Sequence, residues 1–140
     1  MEWKPKKVKY KRLHKGKIYP LTYRKQKTSL AFGHYGLKVL KNARLNAKQL
    51  EASRRILSRA IRKKEKMWIR CMPNISFTTK PLGIRMGKGK GLVDEKNNWV
   101  YRLKGGTILF EVGFMSKSKA KGFITKAAKK LPVPSVIVSR

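Results

Sequence analysis

An α+β fold, with two helices packed on a mostly antiparallel multi-stranded sheet, is predicted by three features of this 140-residue chain. Two segments repeat apolar residues at helical spacing. Several shorter segments alternate apolar with polar residues or are rich in β-branched residues. Hydrophobic residues make up 41% of the chain, which is enough for one modest core. We therefore expect a basic N-terminal arm at residues 1–30 and a single α+β domain at residues 31–140.

The N-terminal arm combines many Lys and Arg residues with scattered aromatic residues such as Trp3 and Tyr10. Pro5 and Pro20 disfavour a helix here, because proline has no backbone N–H to donate. Basic arms of this kind are disordered alone and become ordered on RNA. A tail without a function is the alternative, and the interleaved aromatic residues argue against it.

A first helix is predicted from residue 46 to about residue 64. Asn46 and Gln49 have the spacing of a capping box, and apolar residues then recur on one face. The opposite face is basic and carries Lys48, Arg54, Arg55, Arg59, Arg62 and Lys63. Only Glu51 and Glu65 oppose these charges, which favours a phosphate-contacting face over a solvated one.

The other elements are shorter strands and a second helix. Residues 32–45 predict a turn and a short strand, and further strands are expected at 67–72, 76–86, 98–103, 107–112 and 133–139. The Gly105-Gly106 pair indicates a hairpin between the strands at 98–103 and 107–112. The second helix is expected at 118–131, where Pro132 ends it.

The charge balance is the main indication of function. Lys and Arg number 37 against 6 acidic residues, which gives a net charge of +31. Self-repulsion at this charge destabilises a compact state, and nucleic acid is the polyanion that most often relieves it. Membrane insertion is not expected, because no stretch approaches the roughly 20 apolar residues of a spanning helix.

Catalysis and metal binding are not indicated. Asp94 and Glu95 are adjacent, so in an extended chain they point to opposite sides and cannot act as a facing acid–base pair. His14 and His34 could at best form an incomplete metal site with Cys71. We expect no enzyme activity, no metal and no cofactor.

The glycine-lysine loop, Arg85-Met86-Gly87-Lys88-Gly89-Lys90-Gly91, is the most distinctive segment. Its glycines allow backbone N–H groups to approach phosphate, and its lysines supply positive charge. The spacing of a nucleotide-binding P-loop is not met, and no Ser or Thr follows Lys88. A flexible solubilising loop is the alternative, but the net charge of the chain favours an RNA-contacting loop.

The segment Lys80–Gly91 resembles the signature of the ribosomal protein L16 (uL16) family. Other matching segments follow in the family's order: His14-Lys15-Gly16, Phe32-Gly33, Gly36-Leu37-Lys38, Arg44-Leu45, Glu51-Ala52 with Arg54-Arg55, Trp68-Ile69-Arg70 and Lys130-Leu131-Pro132. The resemblance spans roughly residues 5 to 138. Several motifs in one order are more specific than any single motif.

The resemblance implies an L16/L10e-like α+β fold and a structural role in the large ribosomal subunit. Members of the family lie between rRNA helices beneath the A-site tRNA, with the glycine-lysine loop near the peptidyl transferase region. The implied partners are large-subunit rRNA, A-site tRNA and neighbouring ribosomal proteins, and the implied role is to support tRNA placement and subunit assembly. Arg85 matches an arginine that is hydroxylated in some bacterial members. The residues expected to bind rRNA or tRNA are His14, Lys15, Lys38, Arg44, Arg54, Arg55, Arg59, Arg62, Arg70, Arg85, Lys88 and Lys90.

The chain also departs from the bacterial pattern. Residues 92–98 are longer, residues 111–114 lack an acidic residue that usually follows the strand, and the second helix has Lys117, Lys119 and Lys121 where acidic residues are common. Residues 1–17 lack the apolar stretch of a secretory signal and make a poor transit peptide. These features favour an organelle-encoded mitochondrial member, with the bacterial cytoplasm or a plastid as alternatives.

The functional alternatives are a non-ribosomal RNA chaperone or tRNA-binding module, and a membrane-associated basic protein.

Overall fold

The computed structural model describes residues 3–14, 16, 28–87, 89, 91–93 and 99–140. In chain order its elements are β1 (Tyr35–Val39), β2 (Ala43–Asn46), α1 (Ala47–Ala60), β3 (Lys66–Ile69), β4 (Ile75–Ser76), β5 (Thr78–Thr79), β6 (Leu92–Val93), β7 (Trp99–Leu103), β8 (Ile108–Gly113), α2 (Lys117–Ala128) and β9 (Ser135–Ser139). Every strand pairing in these residues is antiparallel. The α+β prediction is confirmed.

The strands form three separate sheets. The largest has four strands in the order β3-β8-β1-β9, the second has the order β2-β7-β4, and β5 pairs with β6 as a two-stranded ribbon. All six residues of β8 are buried, which is the pattern of a central strand covered on both faces. The four-stranded sheet is therefore the part of the fold on which the other elements are positioned.

Helices α1 and α2 pack against each other. Leu50 and Leu57 of α1 are buried, as are Ala120 and Ile124 of α2. Where the helices meet, Ser53 is small enough to allow close approach, and its Oγ donates a hydrogen bond to the carbonyl of Ala127 at 3.1 Å. The apolar faces predicted for both helices are thus the ones that the core uses.

Both helices end earlier than predicted. Helix α1 ends at Ala60, because Ile61 adopts an extended conformation with ψ 126°. The next residues form a turn in which Glu65 Oε2 accepts a hydrogen bond from the N–H of Arg62 at 2.8 Å. Helix α2 ends at Ala128, after which the N–H groups of Lys130 and Leu131 close a final turn of i→i−3 type.

The predicted hairpin between β7 and β8 is wrong. These strands belong to different sheets, since β7 pairs with β2 and β4 while β8 pairs with β1 and β3. The glycines do form a tight turn, but it docks on the end of β1, where Gly106 N–H donates to the carbonyl of Val39 at 2.6 Å. Because both edges of β7 are already paired, the chain leaves its sheet at this turn.

The predicted strand at 76–86 is also wrong beyond Thr79. Only β4 and β5 form, and the chain turns at residues 82–83. Proline at position 81 cannot donate to a ladder, and Gly83 has a φ of 86°, which belongs to the left-handed region. The described residues after Thr79 therefore do not continue as a strand, and the next strand is β6 at Leu92–Val93.

Candidate nucleic-acid interface

The outer face of α1 carries a cluster of basic side chains. Arg55 and Arg59 are exposed along it, and Arg54 is half-buried. Arg62, which was predicted to lie on the same helix face, is exposed in the turn that follows Ala60. At the start of the helix Gln49 Oε1 accepts a hydrogen bond from the backbone N–H of Asn46 at 3.1 Å, as the capping-box pattern predicts. Because the opposite face of α1 is buried in the core, these arginines are held on a rigid support.

Glu51 organises the first turns of this face. Its carboxylate accepts hydrogen bonds from Arg54 Nε at 2.7 Å, from Arg55 Nε at 3.1 Å and from Trp3 Nε1 at 2.6 Å. The hydrogen bond from Arg54 lowers the pKa of Glu51 well below its usual value, although partial burial opposes the shift. Glu51 therefore stays ionised, fixes Arg54 and ties Trp3 of the N-terminal arm to α1.

Each carboxylate in the described part of the chain has an internal cationic partner. These carboxylates are Glu51, Glu65 and Glu111. Glu65 pairs with Lys119 of α2 at 2.7 Å, and the hydrogen bond from that lysine lowers the pKa of Glu65. Arg59, by contrast, is exposed and pairs with none of these three carboxylates.

Two opposed arginines on the second sheet hold the N-terminal arm. Arg44 of β2 lies opposite Arg102 of β7 in the strand register. Arg44 Nη2 donates to the carbonyl of Gly16 at 2.6 Å, and Arg102 Nη2 donates to the carbonyl of His14 at 2.7 Å. Facing like charges repel, and these arm carbonyls offset part of that repulsion. The side chain of His14 is exposed.

Arg70 and Glu111 form a buried ion pair on the four-stranded sheet. Arg70 Nη1 donates to Glu111 Oε1, and the carboxylate also accepts backbone N–H groups from Ala31, Phe32 and Gly33, at 2.8 Å from Phe32 and 2.9 Å from Gly33. Burial alone would raise the pKa of Glu111, but these hydrogen bonds outweigh it and lower the pKa. Arg70 thus stabilises the segment before β1.

The glycine-lysine loop is exposed at residues 85–87 and 89, and Gly91 is half-buried. Gly87, Gly89 and Gly91 all have positive φ, at 100°, 104° and 76°, so each needs the left-handed conformation that glycine adopts without strain. Arg85 is exposed, and the side chain of Met86 is almost fully accessible. The predicted site residues Lys88 and Lys90 lie outside the described residues, as does Lys15.

The predicted site residues thus fall in separate places. The α1 arginines form one surface, Arg44 lies with His14 at the arm, Lys38 is half-buried on β1, and Arg85 lies on the glycine-lysine loop. Arg70 is engaged with Glu111. Sequence reasoning missed the roles of Trp3, Arg102 and Glu111. A signal existed for Glu111, because an acidic residue inside an otherwise apolar strand is rarely buried without a partner.

The described ranges hold neither a candidate metal cluster nor a helix that could span a membrane. No group of three His, Cys, Asp or Glu side chains there could hold a metal ion. Among the helices that the structure describes, none is long and apolar enough to cross a bilayer.

Comparison with known proteins supports the sequence resemblance. The family model for ribosomal protein L16p/L10e matches residues 5–138. The chain is 43% identical over 136 residues to large ribosomal subunit protein uL16 of Psychrobacter arcticus, covering 97% of this chain and 96% of that protein. It is 42% identical to the uL16 protein of Gluconacetobacter diazotrophicus, covering 97% and 95%, and 41% identical to that of Neorickettsia sennetsu, covering 97% and 94%. With the family model spanning nearly the whole chain and full-length relatives above 40% identity, this chain belongs to the L16p/L10e family of ribosomal proteins.

Proposed function

We propose that this protein, a structural constituent of the large ribosomal subunit, binds large-subunit rRNA through the outer face of α1. The observation that carries the proposal is the one-sided charge of that face. Glu51 is satisfied by Arg54, Arg55 and Trp3, while Arg59 projects into solvent with no carboxylate partner in the described chain. A helix that is anchored on its apolar side can present such cations to phosphates without first having to become ordered.

Salt dependence of RNA binding tests this proposal. Each lost phosphate contact lowers the slope of log affinity against log salt by about one unit. Arg59→Ala should lower the slope for deproteinised large-subunit rRNA by about one unit. Arg55→Ala should lower it less, since Arg55 is shared with Glu51.

The matched control is Arg54→Ala, because Arg54 is half-buried and bonded to Glu51. Its loss should reduce the stability of α1 more than it changes the salt slope. Unchanged slopes for Arg55→Ala and Arg59→Ala would remove the α1 face from the interface. Slopes that fall while the helix remains folded would support it.

We also propose that the glycine-lysine loop contacts the A-site tRNA region. Support comes from the exposure of residues 85–87 and 89, from the left-handed conformation of Gly87, Gly89 and Gly91, and from the resemblance to the loop of the L16 family. Neither catalysis nor a cofactor is part of this proposal, in which the loop acts through charge and shape. A non-ribosomal RNA chaperone is the remaining alternative, and sedimentation separates the two, since a chaperone would stay at the top of the gradient.

The proposed location is the mitochondrial large ribosomal subunit. Support comes from the sequence departures at residues 92–98 and from the lysines at the start of α2, while the relatives named above are bacterial. Organelle fractionation followed by sedimentation in moderate salt should place the protein with mitochondrial large subunits. Recovery with plastid or cytoplasmic subunits instead would contradict the location but not the ribosomal role.

A further inference from the structure

An exposed aromatic cleft lies at one end of the four-stranded sheet, apart from the α1 face and the glycine-lysine loop. We define the aromatic cleft by its lining residues His34, Tyr35, Phe114, Lys117 and Arg140. Phe114 follows β8 directly, and 62% of its surface is exposed. The rings of His34 and Phe114 meet edge to face, with centroids 5.8 Å apart and planes at 78°. The phenyl ring is thus in contact with His34 while much of its surface remains exposed.

The backbone of Phe114 is strained. It is the one non-glycine residue with positive φ in the part of the chain that the structure describes, at 61°. An L-residue with a large side chain loses stability in this left-handed region. Burial of the ring does not offset that loss, because most of the ring faces solvent. Strain of this kind is concentrated where a side chain is held for a partner.

Gly113 brings further aromatic side chains to the same place. A Cβ atom on Gly113 would lie 3.0 Å from Trp68 Cζ3 and 3.6 Å from His34 Nδ1, so the missing side chain lets both rings converge. Trp68 in turn stacks on Phe32 with centroids 6.1 Å apart, and the Arg70 guanidinium lies over Phe32 at 5.4 Å. The aromatic surface therefore continues from the cleft to the edge strand β3.

The charges around the cleft favour a nucleotide over other partners. Lys117 and Arg140 line it, and no acidic side chain does among the described residues. Aromatic faces flanked by cations suit a single-stranded nucleotide, because the base stacks while the phosphate is neutralised. A purely apolar partner would leave these cations desolvated without compensation.

We propose that the aromatic cleft binds an unpaired nucleobase of large-subunit rRNA, which stacks on Phe114 while Lys117 contacts the adjoining phosphate. This inference rests on the proposed rRNA-binding function and adds a second contact surface to it. The cleft and the α1 face act through different physics, since stacking depends little on salt and phosphate pairing depends on it strongly.

The first test is Phe114→Gly, which removes the stacking ring and also relieves the left-handed strain. Thermal stability should be unchanged or raised, while affinity for deproteinised large-subunit rRNA should fall about 5-fold or more at every salt concentration. Phe114→Trp should retain affinity, because it keeps an aromatic face. Leu40→Ala is the matched control, since Leu40 is an exposed apolar residue at the opposite end of β1.

The outcomes separate this inference from the proposed function. If the wild-type protein shows no salt-dependent binding to the rRNA, the proposed function fails. If the wild type binds and Phe114→Gly binds equally well, only the cleft proposal fails. A Phe114→Gly variant whose salt slope falls would also overturn stacking, because that result indicates a lost phosphate contact.

Photocrosslinking in assembled subunits identifies the occupant directly. A benzophenone amino acid is placed at position 114, and large subunits are reconstituted with this variant and irradiated. An adduct on rRNA supports the proposal. An adduct on a neighbouring protein alone overturns it, because a protein then covers the cleft, and the lack of any adduct overturns it as well.

Discussion

Strand β8 and the glycine-lysine loop differ in how their charged side chains are paired: that of β8 is buried with partners inside the protein, and that of the loop is exposed to solvent. In β8 the carboxylate of Glu111 is inaccessible to solvent, and its partners are Arg70 and the backbone of residues 31–33. In the loop, Arg85 and its neighbours project into solvent, and left-handed glycines set the backbone. The charge in β8 is therefore neutralised inside the protein, whereas the positive charge of the loop is available to a binding partner. Substitutions in β8 should therefore affect folding, and substitutions in the loop should affect function.

Removal of the buried carboxylate should have the largest effect on stability. Glu111→Ala leaves the N–H groups of residues 31–33 without their acceptor and removes the carboxylate that pairs with Arg70. Breaking a buried pair in this way costs about 3–5 kcal/mol. Chemical denaturation should show a lower unfolding free energy of that size. The control is Glu65→Ala, which breaks the ion pair of a half-buried carboxylate with the partly exposed Lys119 and should change stability less. Equal losses from both variants would contradict the contrast.

The same carboxylate makes stability depend on pH. The pKa of Glu111 is lower in the folded chain than its ordinary value of 4.5, so its contribution is complete above that pH and is lost on acidification through the folded pKa. Glu51 and Glu65 shift in the same direction and share the acid effect. Replacement by glutamine, Glu111→Gln, should flatten part of this acid dependence.

The capping box and the buried ion pair show which contacts could be predicted from the sequence and which could not. The capping box of Asn46 and Gln49 was predictable because its two residues are three positions apart, and local spacing encodes their contact. Glu111 accepts a hydrogen bond from Gly33, which is 78 positions away, and the local sequence of β8 gives no indication of that partner. The roles of Trp3 and Arg102 were missed for the same reason, because their partners Glu51 and His14 are also distant in the sequence.

Strand partners show the same limit. The apolar pattern of β8 predicted a strand correctly, and Gly105-Gly106 predicted a turn correctly. The hairpin was wrong because β8 pairs with β1, about seventy residues upstream, and this choice depends on which sheet edges remain free. The division into an arm at 1–30 and a domain at 31–140 stays a prediction, although Trp3 of the arm packs in the core.

Replacement of Gly122 in α2 is expected to raise the stability of the protein, by less than the loss of the Glu111 carboxylate lowers it. This glycine lies inside the helix, and an added Cβ would meet nothing within 4 Å. Gly122→Ala should therefore stabilise the protein by about 0.5–1 kcal/mol, because alanine loses less backbone entropy in a helix. Thermal melting measures the gain. Gly91→Ala is the contrasting variant, since its Cβ would lie 2.7 Å from the carbonyl oxygen of Thr79 at a φ of 76°. A gain from Gly91→Ala would contradict the constraint assigned to the loop glycines.

The smallest effect on folding, and the clearest effect on function, is expected from Lys88→Ala with Lys90→Ala. Both residues belong to the glycine-lysine loop, whose described residues contribute nothing to the buried core. The melting temperature should match the wild type. Large subunits reconstituted with the double variant should show weaker A-site tRNA binding or slower late assembly, because two positive charges near the RNA backbone are lost. The two properties need separate measurements, by tRNA filter binding on purified subunits and by the time course of particle formation.

The matched control is Lys129→Ala with Lys130→Ala, which removes the same charge from exposed positions directly after α2. If total charge alone matters, both double variants will lower tRNA affinity equally. If the position of the loop matters, only the loop variant will do so, while the control keeps wild-type tRNA binding. Should the loop variant match the wild type in both tRNA binding and assembly, the glycine-lysine loop would be a solvated connector. The loop would then differ from β8 only in being exposed at the surface, and its positive charge would have no role in binding RNA.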